Sequence, residues 1–427
     1  MALRPVLLTD RYELTMLAAA LADGTADRDC TFEVFARRLP HGRRYGVLAG
    51  TGRLLETLAD FRFGDAELAA LREQGLTDPA LLDRLAGFAF TGDVDGYAEG
   101  DVYFPGSPVL SVRAPFGQAV LLETLVLSVL NHDSAIASAA ARMVGAAGGR
   151  PCIEMGSRRT HEEAAVAAAR AAWLVGFGST SNLAAGARYG VPTAGTSAHA
   201  FTLLHDDEAA AFRAQVQTLG TGTTLLVDTY DTMRGIRTAI EVAGPELGAV
   251  RLDSGDLGDL AVQARALLDS LGAHRTRVTV TSDLDEYAIA ALAAAPVDGY
   301  GVGTSLVTGS GSPTAGMVYK LVERDGVPVA KTAEGKRSVG GRKNAVRRHD
   351  AAGTATAEVV SPHPVQARDG DRDLLVPLVR GGRLVDDLDP AARLRAARDH
   401  HERARTALPA EAWSLSRGEP AIDTVSS

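Results

Sequence analysis

Cysteine is scarce in this sequence and basic residues are outnumbered by acidic ones, and each of these features excludes a class of protein. Two cysteines, Cys30 and Cys152, stand among 427 residues and allow one disulfide at most, which predicts a reducing compartment. Acidic residues outnumber basic ones by 53 to 44, for a formal net charge of -9. Because a nucleic-acid-binding protein usually carries a basic surplus, no nucleic acid is expected as a partner, although a local basic patch can still bind a small anion.

Long apolar segments are absent as well. The N-terminal stretch "MALRPVLLTDRYELTM" has no apolar core of the signal-peptide type. The most apolar run, "VLLETLVLSVL", is interrupted by Glu123, Thr124 and Ser128 and is too short to span a bilayer. With 46% hydrophobic and 23% charged residues, the composition is that of a globular protein, so we expect a cytoplasmic protein with no membrane partner.

After Arg150 the sequence repeats one pattern, a short apolar run followed by a helical stretch, which predicts a parallel sheet. The apolar runs end in the polar turns "GSRR", "GTSAH", "DTYDT", "DSGD", "SDLDE" and "GVGTS". In an α/β barrel the carboxyl ends of the strands meet at one face, where active sites lie. We therefore predict an α/β barrel. An open doubly wound sheet is the alternative, although no GxGxxG motif supports dinucleotide binding.

Outside this repeat the pattern is mixed, which predicts three segments. Residues 1–130 form an N-terminal α+β domain in which "LTDRYELTMLAAALAD" is a helix capped by Thr9 or Asp10. Residues 131–320 form the barrel, and residues 321–427 pack on the N-terminal domain. The last segment contains a hairpin around "RDG", the basic loop "KTAEGKRSVGGRKNAVRR" and a charged helix. The basic loop is either a flap that grips phosphate or a solvated charged loop.

The segment "VRLDSGD" ends an apolar strand with charges. Arg251 and Asp253 are two residues apart and so face the same side of a strand. Burying such groups unpaired costs several kcal/mol. They are therefore either a structural ion pair or the two halves of a ligand site, the guanidinium for an anion and the carboxylate for sugar hydroxyls or a cation. His199 of "GTSAH" is similarly either a hydrogen-bonded structural residue or a base or nucleophile.

Each of these motifs is weak alone, but their order across about residues 9 to 343 is specific. The ordered motifs are "TDRYELTM", "GSRRTHEE", "GTSAHAF", "LLVDTYDT", "VRLDSGD", "TSDLDE", "GVGTS" and "KRSVGGRK". In this set the sequence resembles the nicotinate phosphoribosyltransferases, and more distantly the nicotinamide and quinolinate enzymes of the same type II phosphoribosyltransferase group. The resemblance implies an irregular α/β barrel with a smaller α+β domain built from the N-terminal and C-terminal parts of the chain.

The resemblance also implies a reaction. Nicotinate and 5-phosphoribosyl 1-diphosphate would give nicotinate mononucleotide and diphosphate, a step of NAD salvage, with Mg2+ as cofactor and ATP as co-substrate. ATP hydrolysis would proceed through a phosphohistidine at His199. The enzyme would be a homodimer with shared active sites, in which Tyr12 of "TDRYELTM" reaches into the neighbouring site and stacks on the pyridine ring.

The same resemblance assigns the remaining site residues. His199, Arg251 and Asp253 would be catalytic, and Asp253 would hold ribose hydroxyls or the metal. The substrate-binding set would comprise Arg158 near the carboxylate or diphosphate, Ser282, Asp283, Gly303 and Thr304 near the 5-phosphate, and also Tyr12, Ser197, Lys336 and Ser338. The register of the basic loop that contains Lys336 and Ser338 is ambiguous.

Two other functions stay open at this point. An enzyme that uses nicotinamide would favour an acid near the ring, whereas Arg158 favours a carboxylate. A barrel that binds phosphosugars for another chemistry, such as a Schiff-base aldolase, would need a lysine on a strand. The six strand-end turns contain none.

Overall fold

The computed structural model describes residues 5–331 and 339–426 of the chain. Its contacts divide the chain into two units. Met1–Ser138 and Ser312–Ser427 form the first, and Ala139–Gly311 form the second. The corresponding boundaries predicted from the sequence are residues 130 and 320.

The N-terminal part of the first unit mixes helices with short strands. Its helices are α1 (Arg11–Ala22), α2 (Thr51–Ala59), α3 (Asp65–Glu73), α4 (Pro79–Ala86) and α5 (Phe116–Ala119), followed by α6 (Glu123–Ala147), which continues beyond Ser138. Its strands are β1 (Asp29–Ala36), β2 (Gly46–Val47), β3 (Asp93–Gly96), β4 (Val102–Tyr103) and β5 (Leu110–Pro115). The predicted first helix is confirmed, although Asp10 at its N-cap makes no side-chain capping bond.

The second unit alternates strands and helices. Its strands are β6 (Cys152–Glu154), β7 (Ser179–Thr180), β8 (Thr224–Leu226), β9 (Ala249–Leu252), β10 (Arg277–Val280) and β11 (Gly299–Val302). After α6, its helices are α7 (Glu162–Leu174), α8 (Leu183–Tyr189), α9 (His199–Leu204), α10 (Glu208–Leu219), α11 (Thr232–Ala243), α12 (Leu257–Ser270), α13 (Glu286–Ala291) and α14 (Thr304–Val307).

The C-terminal part of the chain returns to the first unit as strands and one long helix. The strands are β12 (Met317–Arg324), β13 (Val327–Pro328), β14 (Asn344–His349), β15 (Ala355–Ser361), β16 (Arg372–Asp373), β17 (Val376–Arg380), β18 (Arg383–Leu384) and β19 (Asp423–Ser426), and the helix is α15 (Pro390–Thr406). The predicted hairpin is confirmed as β12 and β13, in which Glu323 pairs with Pro328.

Antiparallel pairing joins the two ends of the chain within the first unit. The main sheet has the order β13-β12-β1-β5-β3-β17-β18, so the buried strand β1 lies between one neighbour from each part. The ring of Phe32 on β1 stacks on Tyr319 of β12 with centroids 4.7 Å apart. A second sheet has the order β16-β14-β15-β19. Burial of this apolar central strand on both sides stabilises the unit.

The strands of the second unit form a curled parallel sheet whose order follows a circle. The order is β7-β6-β11-β10-β9-β8, so the last strand in sequence pairs with the first, and all other neighbours are consecutive. The circle is open between β7 and β8, where β7 is extended by a single bridge from Thr180 to Thr193. In an open doubly wound sheet the strand order would instead reverse at an interior strand. The predicted irregular α/β barrel is confirmed as a half-barrel, and the doubly wound alternative is wrong.

One helical segment is longer than the apolar run in the sequence suggested. Within the described residues, Phe116–Ala147 is continuous for 32 residues and is apolar enough to cross a membrane by length and composition. However, 67% of its most apolar window is buried inside the protein. Such burial is typical of a core helix rather than of a segment that faces lipid.

Both cysteines are free and buried. Burial raises the pKa of Cys30 to about 11 and that of Cys152 to about 12. A thiol with such a pKa is protonated at neutral pH and is a poor nucleophile. Neither cysteine is therefore a candidate for covalent catalysis.

Candidate active site

Arg251 occupies the carboxyl end of β9 and reaches toward the loop before α9. Its Nη1 donates to the Thr196 hydroxyl at 2.6 Å, and its Nη2 donates to the Ser197 carbonyl at 3.0 Å. Burial lowers the pKa of Arg251, nearby Asp253 opposes this change, and Arg158 lowers the pKa further. Arginine remains charged despite such shifts. Its guanidinium is therefore a half-buried cation oriented by this loop rather than by a direct ion pair with its neighbour.

Asp253 and Asp228 form a pair of carboxylates at the adjoining ends of β9 and β8. The Asp253 side chain accepts a hydrogen bond from the Thr281 hydroxyl, and its backbone N–H donates to Asp228 Oδ2 at 2.9 Å. The Ser254 hydroxyl donates to the same Asp228 oxygen at 2.7 Å. The other oxygen, Asp228 Oδ1, is buried and has no hydrogen-bond partner among the described residues. A buried, unpaired carboxylate oxygen is costly and fits a cation or a ligand hydroxyl.

His199 is the first residue of α9 and lies between these strand ends. Its Nδ1 is 3.1 Å from the Thr229 hydroxyl, which follows β8. Its Nε2 is 3.8 Å from Asp253 Oδ2, too long for a hydrogen bond but close enough for electrostatic attraction. The side chain is 40% exposed, so a ligand can reach the ring. A neutral imidazole in this position can act as a nucleophile.

The loop that carries Arg158 is anchored by a buried glutamate. Glu154 ends β6 with no solvent exposure, and its carboxylate accepts bonds from the Gly156 amide and the Thr180 hydroxyl. Burial raises the pKa of Glu154, and these two hydrogen bonds oppose the increase. A Cβ at position 156 would lie 3.1 Å from the Gly303 carbonyl and would also clash with Val307. Glycine therefore lets this loop pass directly beside the end of β11.

The predicted 5-phosphate residues follow β10 and β11. Ser282 and Asp283 are exposed, and Ser282 has a φ of 137°, which is unusual for a residue with a side chain. Gly303 immediately precedes α14, and Thr304 at its start is exposed. Since Thr281 bonds to Asp253, the end of β10 is tied to the carboxylate pair. These residues therefore stand at the same edge of the sheet as Arg251.

Of the remaining predicted residues, one belongs to the other unit and two lie outside the described residues. Tyr12 belongs to the first unit, where it lies on the first turn of α1 with 43% of its surface exposed. Burial and the hydrogen-bonded carboxylate of Glu123 raise the pKa of its hydroxyl. Lys336 and Ser338 lie outside the described residues. The roles assigned to these three residues stay predictions.

The carboxylate pair suits a metal that takes few protein ligands. Within residues 5–331 and 339–426, no cluster of three or more His, Cys, Asp or Glu side chains is arranged to hold a metal. Mg2+ is commonly bound through one or two carboxylates together with water and substrate phosphates. Asp253 and the unpaired oxygen of Asp228 provide that kind of donor set.

The sequence reasoning missed several residues that complete the site. Thr281 directly follows β10, as Asp253 follows β9, and Asp228 and Thr229 lie two and three residues after the end of β8; this common position after an apolar strand was the available signal. Glu154 gave a different signal, a carboxylate at the end of an apolar strand before a glycine. These residues hold the predicted ones in place.

A protein family model and several curated proteins are similar in sequence to this chain. A family model described as the N-terminal domain of nicotinate phosphoribosyltransferase matches residues 7–131. The nicotinate phosphoribosyltransferase pncB1 of Mycobacterium tuberculosis strain CDC 1551 is 64% identical over 428 residues, which covers 98% of this chain and 94% of the relative. The nicotinate phosphoribosyltransferase of Bacillus subtilis is 40% identical and covers 74% of this chain and 67% of its own length.

Solved structures agree over nearly the whole chain. The human nicotinic acid phosphoribosyltransferase superposes with a TM-score of 0.85 at 27% identity, and covers 98% of this chain and 97% of its own. A nicotinate-nucleotide pyrophosphorylase from Pyrococcus furiosus superposes with a TM-score of 0.79 at 24% identity, covering 94% of this chain and 95% of its own. At that identity the second likeness supports the fold alone.

Proposed function

Since this chain belongs to the nicotinate phosphoribosyltransferase family, we propose that its strand-end site in the second unit makes nicotinate mononucleotide in NAD salvage. The observation that carries the site assignment is the grouping of His199, Arg251 and Asp253 at the ends of β8 and β9, where His199 lies 3.8 Å from Asp253 and Arg251 bonds to the loop before His199. Nicotinate and 5-phosphoribosyl 1-diphosphate are the substrates, and diphosphate is the leaving group.

The chemistry requires positioning of charge more than covalent help. The bond between ribose C1 and the diphosphate oxygen breaks with its electrons on oxygen, and the pyridine nitrogen forms the new bond to C1. Because C1 becomes cation-like, carboxylates near the ribose and cations near the leaving group lower the barrier. Arg251 and Arg158 supply the cations, and Asp253 holds the ribose hydroxyls. Mg2+, when bound near Asp253 and Asp228, would neutralise charge on the leaving diphosphate.

We assign ATP coupling to His199. With the Nδ1 proton donated to Thr229, the Nε2 lone pair is free to attack the terminal phosphorus of ATP. The bond from that phosphorus to the bridging oxygen breaks, ADP leaves, and water later displaces the phosphoryl group from the imidazole as phosphate. The partial exposure of the ring supports this role, because the nucleotide must reach it.

We assign the exposed ring of Tyr12 to the partner's active site in a homodimer. An aromatic ring stacks on a flat heteroaromatic acid with a favourable offset geometry. The 43% exposure of Tyr12 leaves its ring available for such a contact. A cytoplasmic location agrees with two cysteines that are free and buried.

A turnover assay tests the proposed function. Purified protein is incubated with 5-phosphoribosyl 1-diphosphate and Mg2+, with nicotinate or nicotinamide, and with or without ATP, and the mononucleotide is measured by chromatography. We expect nicotinate to be used in preference, because Arg158 and Arg251 favour its carboxylate, and ATP to stimulate synthesis. Faster turnover of nicotinamide would overturn the substrate assignment, and equal rates without ATP would overturn the coupling.

A further inference from the structure

A basic pocket in the first unit has a lining that includes none of the residues assigned to the reaction. Its volume is about 370 Å³. Its basic lining consists of Arg347, His349, Arg372, His400 and Arg403, and small residues complete the wall. Within the part of the chain that the structure describes, no acidic side chain lines this pocket. We name it the arginine pocket.

Three elements bring these basic side chains together. Arg347 and His349 are two residues apart on β14 and therefore face the same side of the sheet. Arg372 comes from β16, which pairs with β14 next to Arg347. His400 and Arg403 are three residues apart on α15 and so share a helix face. The pocket is thus built on regular secondary structure rather than on a loose surface loop.

A buried carboxylate beneath the pocket orders its floor. Asp101 is fully buried and accepts hydrogen bonds from Arg347 at 2.6 Å, from Arg372 at 2.7 and 3.0 Å, and from His400 at 3.0 Å. Burial acts to raise the pKa of Asp101, but Arg347 and its other donors hold it well below the usual range. Asp101 therefore stays ionised and orients its three donors.

The floor does not neutralise all of the positive charge. Arg347, which is 1% exposed, is shared between Asp101 and Glu358, and its Nε is buried without a partner. Arg403 has no carboxylate within salt-bridge distance among the described residues. Three guanidinium groups thus face two carboxylates, before any charge on the two histidines. An excess of positive charge around a concave, partly buried volume favours an anion.

We propose that the arginine pocket binds a small molecule through a di- or polyphosphate group. Its volume lies within the range of small-ligand sites and exceeds what one phosphate needs. Among the described residues its lining contains no Phe, Tyr or Trp ring to stack on a base, so recognition rests on the charged phosphates. This ligand site is additional to the substrate site at the strand ends, and its occupant does not take part in ribosyl transfer.

Equilibrium dialysis with labelled inorganic diphosphate tests the proposal. The full-length protein is compared with Arg403→Glu, and with Arg395→Glu as a control that reverses another exposed charge on the same helix outside the pocket. All three proteins keep the strand-end site, so its contribution to binding cancels. We expect Arg403→Glu to weaken one class of bound diphosphate by about tenfold or more, and Arg395→Glu to leave it unchanged.

Equal diphosphate binding by all three proteins would overturn the proposal and leave Arg403 as a complement to the helix dipole of α15. If Arg403→Glu does not fold by circular dichroism, Arg403→Gln takes its place. If tripolyphosphate and ATP displace labelled diphosphate equally well, the polyphosphate is the recognised group. If ATP displaces it more strongly, a nucleoside triphosphate is the source. Competition by orthophosphate as strong as by diphosphate would refute a polyphosphate site. Turnover of nicotinate by the same variants reports on the proposed function separately.

Discussion

Glu154 shows how a residue outside the substrate cluster can control a residue within it. Its carboxylate satisfies the Gly156 amide and the Thr180 hydroxyl, and that loop carries Arg158. Glu154→Ala leaves two buried polar groups unpaired and should lower the free energy of unfolding by about 2 kcal/mol or more. Glu154→Gln keeps one acceptor and should lower the free energy of unfolding by less. Urea denaturation measures both, and equal stability of the alanine variant and the parent would contradict the anchoring role.

The raised pKa of Glu154 also predicts a pH dependence. Burial raises it above the ordinary value of 4.5, so the folded protein holds this proton to higher pH than the unfolded chain. The contribution of Glu154 to stability is therefore full below pH 4.5 and is lost as pH rises through its folded-state pKa. Glu154→Gln does not titrate, so the difference in unfolding free energy, parent minus variant, should fall as the pH rises above 4.5. If the unfolding free energies of the two proteins change with pH in parallel, the raised pKa of Glu154 is not the cause of the pH dependence.

His199 carries the ATP prediction. His199→Ala should abolish stimulation of nicotinate turnover by ATP and leave a slow basal rate, because the phosphoryl acceptor is removed while Arg251 and Asp253 remain. His205→Ala is the matched control, since His205 directly follows the same helix and its Nδ1 bonds to the Phe201 carbonyl within that helix. Initial rates with and without ATP decide the matter. Intact ATP stimulation in His199→Ala would exclude a phosphohistidine at this position.

At the scale of elements, the site depends on the joint between β8 and β9. Asp228, which follows β8, accepts hydrogen bonds from the Asp253 backbone N–H and the Ser254 hydroxyl, which follow β9. Asp228→Asn should raise the Mg2+ concentration for half-maximal activity by about tenfold, because a neutral amide binds a hard cation less well. Asp259→Asn removes an exposed charge from α12 and should leave the Mg2+ concentration for half-maximal activity unchanged. An unaltered Mg2+ requirement in Asp228→Asn would place the metal elsewhere.

The elements also show where sequence patterns predict well. The short apolar runs after Arg150 became parallel strands, and the polar turns after them stand at one edge of the sheet, because parallel strands share a direction. The hairpin around "RDG" formed as predicted. The helical segment at residues 116–147 contains the apolar run "VLLETLVLSVL" and extends well beyond it. Alanine and serine continue a buried helix although they add little hydropathy.

At the scale of the whole molecule, the prediction of shared active sites can be tested by mixing. Tyr12→Ala and Asp253→Ala should each be nearly inactive. Refolding an equal mixture should restore about a quarter of the parent activity, because half of the dimers would then be mixed and each would contain one intact site. Activity of the mixture is compared with that of each variant refolded alone. No rescue would count against a site completed by the partner's Tyr12.

The sequence by itself determined the kinds of element, their order and the positions of the charged residues at strand ends. These follow from local rules, because strand and helix periodicity and turn chemistry are properties of neighbouring residues. Asp253, Arg251 and His199 could be singled out for that reason. Their convergence also required that β9 pair with β8 and β10, which the repeated strand–helix pattern implies.

Only the tertiary structure decided which distant groups complete one another. The placement of β1 between β5 and β12, the bonds from Asp228 to the segment after β9, and the assembly of Arg347, Arg372 and Asp101 all join residues far apart in the chain. Such contacts depend on packing and on strand register, which the whole core selects together. No short stretch of sequence contains that information, because each partner's environment is created by the others.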